Sequence, residues 1–258
     1  MKLAITGKGG TGKTTIACFL AHCFNQDGYQ VLAVDADPDS NLASALGIPE
    51  NESALITPIS KERHLIKERT GASPRQFGQL FKINPFVKDI PDKYIINIQG
   101  IKLLVMGGIQ KGGEGCACPE NVLLRSLLSE IILNRDEVVI VDMEAGIEHL
   151  GRATGRSIDK MVIVVEPGSR SISTAMSIMT LAKDIGVTTF GVIGNKVQDE
   201  EQKIWISQQF PPNLILGMIS YHDIIQDADL KQVPLIDLMK ERLKAEIHDI
   251  YRACKSND

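Results

Sequence analysis

The sequence predicts an α/β fold with a doubly wound, mostly parallel β-sheet that carries helices on both faces. Two observations lead to this prediction. Apolar runs rich in Val, Ile and Leu alternate with segments of helical periodicity along most of the 258 residues, which is the pattern of repeated β-α-β units. The apolar runs are also continuous, as expected of strands that are buried on both faces.

The elements follow from these runs in chain order. Strands are predicted at residues 3–5, 31–35, 102–106, 138–142, 161–166, 190–195 and 214–219. One helix is predicted to begin near residue 16, directly after the first strand, and others at residues 119–134, 171–185 and 235–253. Gly186 follows the helix at 171–185 and is a suitable stop for it.

Residues 48–100 interrupt this alternation. They are polar and contain scattered Pro and Gly, so we predict a mainly helical insertion with a short strand at residues 94–98. No repeat and no low-complexity tract divides the chain, and its length is within the range of one α/β unit. We therefore expect residues 1–258 to form a single domain.

Composition and charge narrow the classes of partner. The formal net charge of −4 gives no electrostatic reason to expect nucleic acid. No apolar run approaches the roughly 20 residues that span a bilayer, so no membrane partner is predicted. The first strand begins directly after Met1 and leaves no room for a signal peptide, so we expect a cytoplasmic protein. The odd count of five cysteines favours thiols or metal ligands over disulfides.

A glycine-rich loop joins the first predicted strand to the first predicted helix. Residues 7–15 read Gly-Lys-Gly-Gly-Thr-Gly-Lys-Thr-Thr, which matches the phosphate-binding pattern G-x-x-x-x-G-K-[ST] in the context it requires. Backbone N–H groups of such a loop converge on phosphate oxygens, and the helix N-terminus adds its positive dipole end. We expect Lys13 to reach the β- and γ-phosphates of ATP and Thr14 to contact Mg²⁺. The predicted nucleotide-binding residues of the loop are Gly9, Gly10, Thr11, Gly12, Lys13, Thr14 and Thr15.

A second lysine, Lys8, occupies the second position of this loop. An ordinary phosphate-binding loop does not need a cation there. The run Lys8-Gly9-Gly10 resembles the deviant Walker A motif of the SIMIBI ATPases, which include the MinD and ParA proteins, the nitrogenase iron protein and the CooC-type nickel-maturation ATPases. The resemblance implies that Lys8 acts in trans on the nucleotide of a partner subunit, and that ATP binding is coupled to formation of a homodimer.

Carboxylates follow two other predicted strands, where the carboxyl ends of parallel strands face the ligand crevice. The strand at 31–35 runs into Asp35, Asp37 and Asp39, and the strand at 138–142 ends at Asp142, four residues before Gly146. One carboxylate can orient the attacking water and another can hold the Mg²⁺ shell. By the same resemblance, Asp37 positions the water, and Asp35 and Asp142 lie near the magnesium. Gly146 contacts the γ-phosphate through its N–H; the role of Asp39 stays open.

Asn195 ends the predicted strand at 190–195. Members of the resembled family use an asparagine at this place to read the edge of adenine, which implies a nucleotide-binding role for Asn195. The alternative, that it is only a turn residue, stays open.

A Cys-x-Cys loop separates this chain from most of its relatives. Cys116 and Cys118 lie one residue apart in a glycine-rich segment, where both thiolates can face a soft metal ion. Two such loops across a two-fold axis would supply four ligands. The loop resembles that of CooC-type proteins, which implies a Ni²⁺ or Zn²⁺ ion bridging the dimer. It also implies a metallochaperone function, with carbon monoxide dehydrogenase or acetyl-CoA synthase as the client.

Two alternatives from other classes of protein stay open. An Fe–S scaffold or electron-transfer ATPase, like the nitrogenase iron protein, takes cluster cysteines from two separated loops, yet no cysteine lies between Cys118 and Cys254. A positioning ATPase of the MinD or ParA type needs a membrane or DNA surface, and the C-terminal segment has no lysine-rich face. Cys18, His22 and Cys23, on the first predicted helix, are the next candidates for metal ligands after the Cys-x-Cys loop.

Overall fold

The computed structural model describes residues 1–74, 78–108, 118–146, 150–225, 228, 233–238 and 240–256. Within these ranges it contains one eight-stranded sheet, so the predicted fold class is confirmed. The strands are β1 Lys2–Gly7, β2 Val31–Ala36, β3 Ile96–Ile98, β4 Ile101–Val105, β5 Val138–Met143, β6 Lys160–Val165, β7 Phe190–Val197 and β8 Ile215–Ser220.

The strand order is β3-β4-β2-β5-β1-β6-β7-β8. All neighbouring pairs are parallel except β3 and β4, where Asn97 pairs with Lys102 in an antiparallel ladder. The strands that lead into the phosphate loop and into the predicted aspartates are adjacent, because β5 pairs with β1 on one side and with β2 on the other. In this register Asp142 of β5 is opposite both Ile5 of β1 and Asp35 of β2. Asp35 and Asp142 therefore lie side by side at the carboxyl ends of their strands.

The helices whose bounds lie within the described residues are α1 Lys13–Gln26, α2 Leu42–Ala45, α3 Glu50–Ser53, α4 Arg63–Thr70, α5 Ile90–Tyr94, α6 Pro119–Asn134, α7 Arg152–Arg156, α8 Ser169–Asp184, α9 Glu200–Gln209 and α10 Glu241–Lys255. Short 3-10 turns occur at Ile59–Lys61, Pro212–Leu214 and Leu235–Leu238. Helix α6 has the predicted bounds, and α8 starts two residues earlier than predicted.

The continuous helix predicted at 235–253 is wrong. Leu235–Leu238 forms a 3-10 turn, and α10 begins only at Glu241. Lys240 between them has an extended backbone, with φ −73° and ψ 160°. The apolar spacing continues across this residue, so periodicity alone contains no signal for the break.

The segment predicted as an insertion contains three short helices, α3 to α5, and one 3-10 turn, with turns and extended stretches between them. The short strand expected at its end is β3. Whether this segment and the rest of the chain form one domain stays a prediction.

Buried apolar side chains lie on both faces of the sheet, as a doubly wound fold requires. One core joins the sheet to α1 and α10 through residues such as Phe19, Phe24 and Ile247. The other joins it to α4, α6, α8 and α9 through residues such as Leu127 and Ile206. In the part of the chain that the structure describes, no helix combines the length and apolar character needed to cross a membrane.

Candidate nucleotide site

The loop between β1 and α1 has the backbone of a phosphate cradle. Gly10 and Gly12 have φ angles of 82° and 91°, a region that residues with a Cβ rarely adopt. Thr11 is fully buried and donates its hydroxyl to the Lys8 carbonyl at 2.9 Å. A Cβ placed on Gly9 or Gly10 would meet no atom of the described residues within 4 Å, which leaves room for a ligand on this side of the loop.

Asn195, at the end of β7, braces this loop. Its amide Nδ2 donates to the Thr11 carbonyl at 2.7 Å, and its Oδ1 accepts from the Lys196 N–H at 2.9 Å. A Cβ on Gly12 would lie only 2.3 Å from Asn195 Nδ2, so glycine is needed there for space as well as for φ. The structure thus places Asn195 at the phosphate loop. Its contact with adenine stays a prediction.

Lys13 and Asp37 face each other across the crevice. Lys13 Nζ lies 3.9 Å from Asp37 Oδ2, and both side chains are largely buried. The carboxylate of Asp37 also accepts the Asp39 N–H at 3.0 Å. The predicted phosphate ligand and the predicted water-positioning residue are therefore brought together, with Asp37 held in a tight turn after β2.

Asp142 and Thr14 are joined by a short side-chain hydrogen bond. The Thr14 hydroxyl donates to Asp142 Oδ2 at 2.6 Å. Asp142 is 1% exposed, and its Oδ1 has no hydrogen-bond partner among the described residues. Burial raises the pKa of Asp142 to about 7, against the opposing effect of the Thr14 hydrogen bond. A buried carboxylate oxygen without a donor, beside a threonine hydroxyl, fits a cation such as Mg²⁺ or its bound water.

Asp35 makes two hydrogen bonds that the sequence did not predict. It is fully buried, and its two oxygens accept the backbone N–H groups of Leu42 at 3.0 Å and of Asp37 at 3.3 Å. Burial raises its pKa to about 6. Asp35 therefore anchors the turn that carries Asp37, and its assignment to the outer shell of magnesium stays a prediction.

Glu166 is a site residue that the sequence analysis missed. It follows β6, the strand beside β1, and its carboxylate lies between two lysines. Lys8 Nζ is 3.8 Å from Glu166 Oε1, and Lys196 Nζ is 3.6 Å from Glu166 Oε2. Lys196 also donates to the Gly10 carbonyl and has a φ of 59°. The sequence contained one signal that could have identified Glu166, because it is a carboxylate at the carboxyl end of a predicted strand, where ligands bind in such folds.

The structure covers one end of the predicted metal loop. Cys116 lies outside the described residues. Cys118 immediately precedes α6, is partly exposed, and lines a cavity of about 400 Å³ together with Pro38 and Gly108. Gly146, at the end of the described segment after β5, lies beside Ala36 and Gly107.

Two of the second set of candidate metal ligands, Cys18 and Cys23, belong to the core, whereas His22 is half-buried. Cys18 and Cys23 are buried, and burial raises their thiol pKa values to about 12 and about 11. Such thiols stay protonated at neutral pH, whereas metals bind thiolates. Within the described residues, no group of three or more His, Cys, Asp or Glu side chains could hold a metal ion.

Comparison with known proteins agrees with this site. Residues 2–235 match the CobQ/CobB/MinD/ParA nucleotide-binding domain family. The carbon monoxide dehydrogenase accessory protein CooC of Rhodospirillum rubrum is 47% identical over 238 residues, which are 92% of this chain and 90% of that protein. An uncharacterised ATP-binding protein of Methanocaldococcus jannaschii is 48% identical over 237 residues, 91% of each chain.

Solved structures show the same fold at low identity. MinD in the MinC:MinD complex of Aquifex aeolicus superposes with a TM-score of 0.68 at 20% identity, covering 98% of this chain and 95% of that one. MinD of Pyrococcus horikoshii with Mg-ADP gives 0.68 at 18% identity, with the same coverage. Together with the phosphate loop and its facing carboxylates, these findings show that the chain belongs to the CobQ/CobB/MinD/ParA nucleotide-binding family, in the group that includes CooC, and is an ATPase.

Proposed function

We propose that this ATPase is a Mg-ATP-dependent, dimerising metallochaperone that supports nickel insertion into carbon monoxide dehydrogenase or acetyl-CoA synthase. The observation that carries the proposal is the 47% identity to CooC over nearly the whole of both chains, in a sequence that has the Cys116-Ala117-Cys118 segment. Cys118 lines the same cavity as Pro38, the residue that follows Asp37. This position supports a coupling between metal binding and nucleotide binding.

The proposed hydrolysis uses residues that the fold brings together. Lys13 contacts the β- and γ-phosphates, and Asp37, 3.9 Å from it, orients the attacking water. Thr14 and Asp142 hold the metal side of the nucleotide through their hydroxyl and carboxylate. Bound Mg²⁺ supplies charge neutralisation on the phosphates.

Lys8 is proposed to act across a dimer. In the single chain the Lys8 side chain is 40% exposed. Its Nζ lies 3.8 Å from Glu166 Oε1, which is a long distance for an ion pair. A partly exposed pair of this kind contributes little free energy, so Lys8 is able to leave it for a phosphate of the partner subunit. Lys8→Ala is expected to bind ATP through Lys13 and to lose the ATP-dependent dimer in sedimentation. A dimer of wild-type strength would contradict the role in trans.

The metal is treated as cargo held by Cys116 and Cys118. Two thiolates per chain predict one Ni²⁺ or Zn²⁺ per two chains. The test is metal content per chain after anaerobic purification, with and without ATP, for the wild type and for Cys116→Ser/Cys118→Ser. Cys23→Ala is the matched control, because it removes a buried thiol. Loss of metal in the double variant alone supports the site, and retention of one ion per dimer contradicts it.

The same preparation separates the alternatives. Iron accompanied by acid-labile sulfide, instead of nickel or zinc, would indicate an Fe–S scaffold or electron-transfer ATPase. Absence of any metal from wild-type protein, even after incubation with Ni²⁺ or Zn²⁺, would favour a positioning ATPase of the MinD or ParA type.

A further inference from the structure

The residues that leave β4 lie directly against the turn that carries Asp37. The backbone N–H groups of Met106 and Gly107 both donate to the Asp35 carbonyl, at 2.9 and 3.2 Å. The chain after β4 is therefore attached to the end of β2 beyond the regular pairing of the two strands. Its position is coupled to the position of residues 35–38.

The opposite side of this segment is held by the 3-10 turn Ile59–Lys61. The Ser60 N–H donates to the Met106 carbonyl at 2.9 Å. Gly107 has a φ of 72°, and a Cβ there would lie 2.4 Å from Ser60 Oγ and 2.9 Å from Pro58 Cβ. The segment is thus packed closely against Pro58 and Ser60 on the side opposite Asp35.

Gly108, the next residue, forms the wall behind Pro38. It is buried, and a Cβ added to it would lie 2.2 Å from Pro38 Cγ, 2.5 Å from Cδ and 2.6 Å from the backbone nitrogen. The proline ring is rigid and its nitrogen belongs to the peptide that joins it to Asp37, so a side-chain rotation cannot relieve the contact. Pro38 is otherwise exposed, so it has room to move outward.

We propose that Gly108 is a positioning residue for ATP hydrolysis: its missing side chain lets Pro38 pack inward and sets Asp37 at its distance from Lys13. Any atom added at residue 108 moves Pro38 toward solvent and carries Asp37 with it. The inference rests on the proposed role of Asp37 in orienting water. The phosphate loop at Lys13 and Thr14 follows β1, on the far side of β5 from β2, and approaches this turn through Lys13, which is 3.9 Å from Asp37. Its backbone N–H groups, which bind the phosphates, belong to a different segment from Gly108 and Pro38.

The test is Gly108→Ala, with Gly151→Ala as its matched control. Gly151 has φ −75° and ψ 165°, and a Cβ there meets nothing within 4 Å. Steady-state ATPase rates and calorimetric binding of a non-hydrolysable ATP analogue are measured on the full chain. Displacement of a reacting group by about 1 Å can cost on the order of 100-fold in rate, so kcat of Gly108→Ala is expected to fall roughly 10- to 100-fold with the Kd little changed. Gly151→Ala is expected to match the wild type.

Wild-type kcat in a folded Gly108→Ala variant would overturn the inference. A second variant, Pro38→Ala, adds no atom to the core and keeps the inference testable if Gly108→Ala does not fold. It removes the ring that rests on Gly108, so kcat is again expected to fall at unchanged Kd, and wild-type kcat would count against the inference. In the double variant Gly108→Ala/Pro38→Ala, the contacts of the added Cβ with Pro38 Cγ and Cδ are absent. Its kcat should therefore be higher than the value obtained by multiplying the losses of the two single variants. A loss equal to that product would contradict the contact.

The Asp37→Asn variant separates the proposed role of Asp37 from the inference about Gly108. If Asp37→Asn hydrolyses ATP at the wild-type rate, the proposed role of Asp37 fails. If Asp37→Asn is inactive while Gly108→Ala and Pro38→Ala keep wild-type kcat, only the inference about Gly108 fails.

Discussion

Asp142 is predicted to make the protein less stable as pH rises, when neither nucleotide nor magnesium is present. Its side chain is 1% exposed and its Oδ1 has no hydrogen-bond partner in the described chain. Burial raises its pKa to about 7, whereas an aspartate in the unfolded chain titrates near 3.9. Between these values the unfolded chain has released the proton and the folded protein still holds it. The free energy of unfolding therefore falls as pH rises from about 4 to about 7.

The size of the effect follows from the shift. Roughly three pKa units at about 1.4 kcal/mol each set an upper bound of about 4 kcal/mol at pH 8. Asp142→Asn cannot ionise, but its amide group leaves a donor unpaired at a cost of about 1–3 kcal/mol. The variant is therefore expected to be more stable than the wild type by about 2 kcal/mol at pH 8. For a domain of this size that corresponds to about 4–8 °C in Tm.

Thermal unfolding in EDTA without nucleotide, at pH 5 and pH 8, measures this difference. Asp142→Asn should gain stability over the wild type at pH 8 and lose that gain at pH 5. Asp184→Asn, an exposed aspartate on α8, is the control and should change neither value. Addition of Mg-ATP should reverse the order, because ligand binding stabilises only a site that can hold the ion.

The reasoning would be refuted by a difference between Asp142→Asn and wild type that is the same at pH 5 and pH 8. Asp35, whose pKa of about 6 is raised in the same direction, is present in both proteins. Its own titration occurs in both proteins, and its charge is one of the causes that raise the pKa of Asp142 in the wild type.

Three further predictions concern contacts around the sheet. Lys160 is 6% exposed and donates to the carbonyls of residues 253, 254 and 256 at the end of α10; Lys160→Met should lower the free energy of unfolding in urea by about 2–3 kcal/mol. Glu166→Gln should release Lys8 and tighten the ATP-dependent dimer by about 2- to 5-fold in sedimentation, with no effect in Lys8→Ala. Gly12→Ala, which combines a φ of 91° with a contact of 2.3 Å to Asn195, should weaken ATP binding at least about 10-fold by calorimetry; unchanged Kd would show that the loop adapts.

Much of the fold was predictable because its signals are local. Strands buried on both faces read as continuous apolar runs, and seven such runs correspond to β1, β2, β4, β5, β6, β7 and β8. The phosphate loop was predictable for the same reason, since its function depends on consecutive backbone groups of Gly9 to Thr15. Helix α9 was missed because its apolar positions do not form a clear stripe; Ile206 is its buried residue.

Contacts between distant segments were not predictable. The distance between Lys8 and Glu166 depends on β6 lying beside β1, and that between Gly108 and Pro38 depends on β4 lying beside β2. The sequences of the segments do not indicate which strands will lie next to each other. Asp35 illustrates the same limit. Its position after a strand predicted a place near the metal, and only the folded chain shows that it also anchors the turn.

By itself, the sequence determined the class of the fold, the phosphate loop and the carboxylates at the strand ends, because hydrophobic periodicity and loop chemistry act over a few neighbouring residues. Tertiary structure alone decided which hydrogen-bond donors reach each carboxylate. Among the described residues, Asp142 Oδ1 is buried without a donor, whereas Asp35 has backbone donors on both oxygens. The physical reason is that burial and hydrogen bonding depend on strand order and on what packs across the sheet, and these arise only when the whole chain folds.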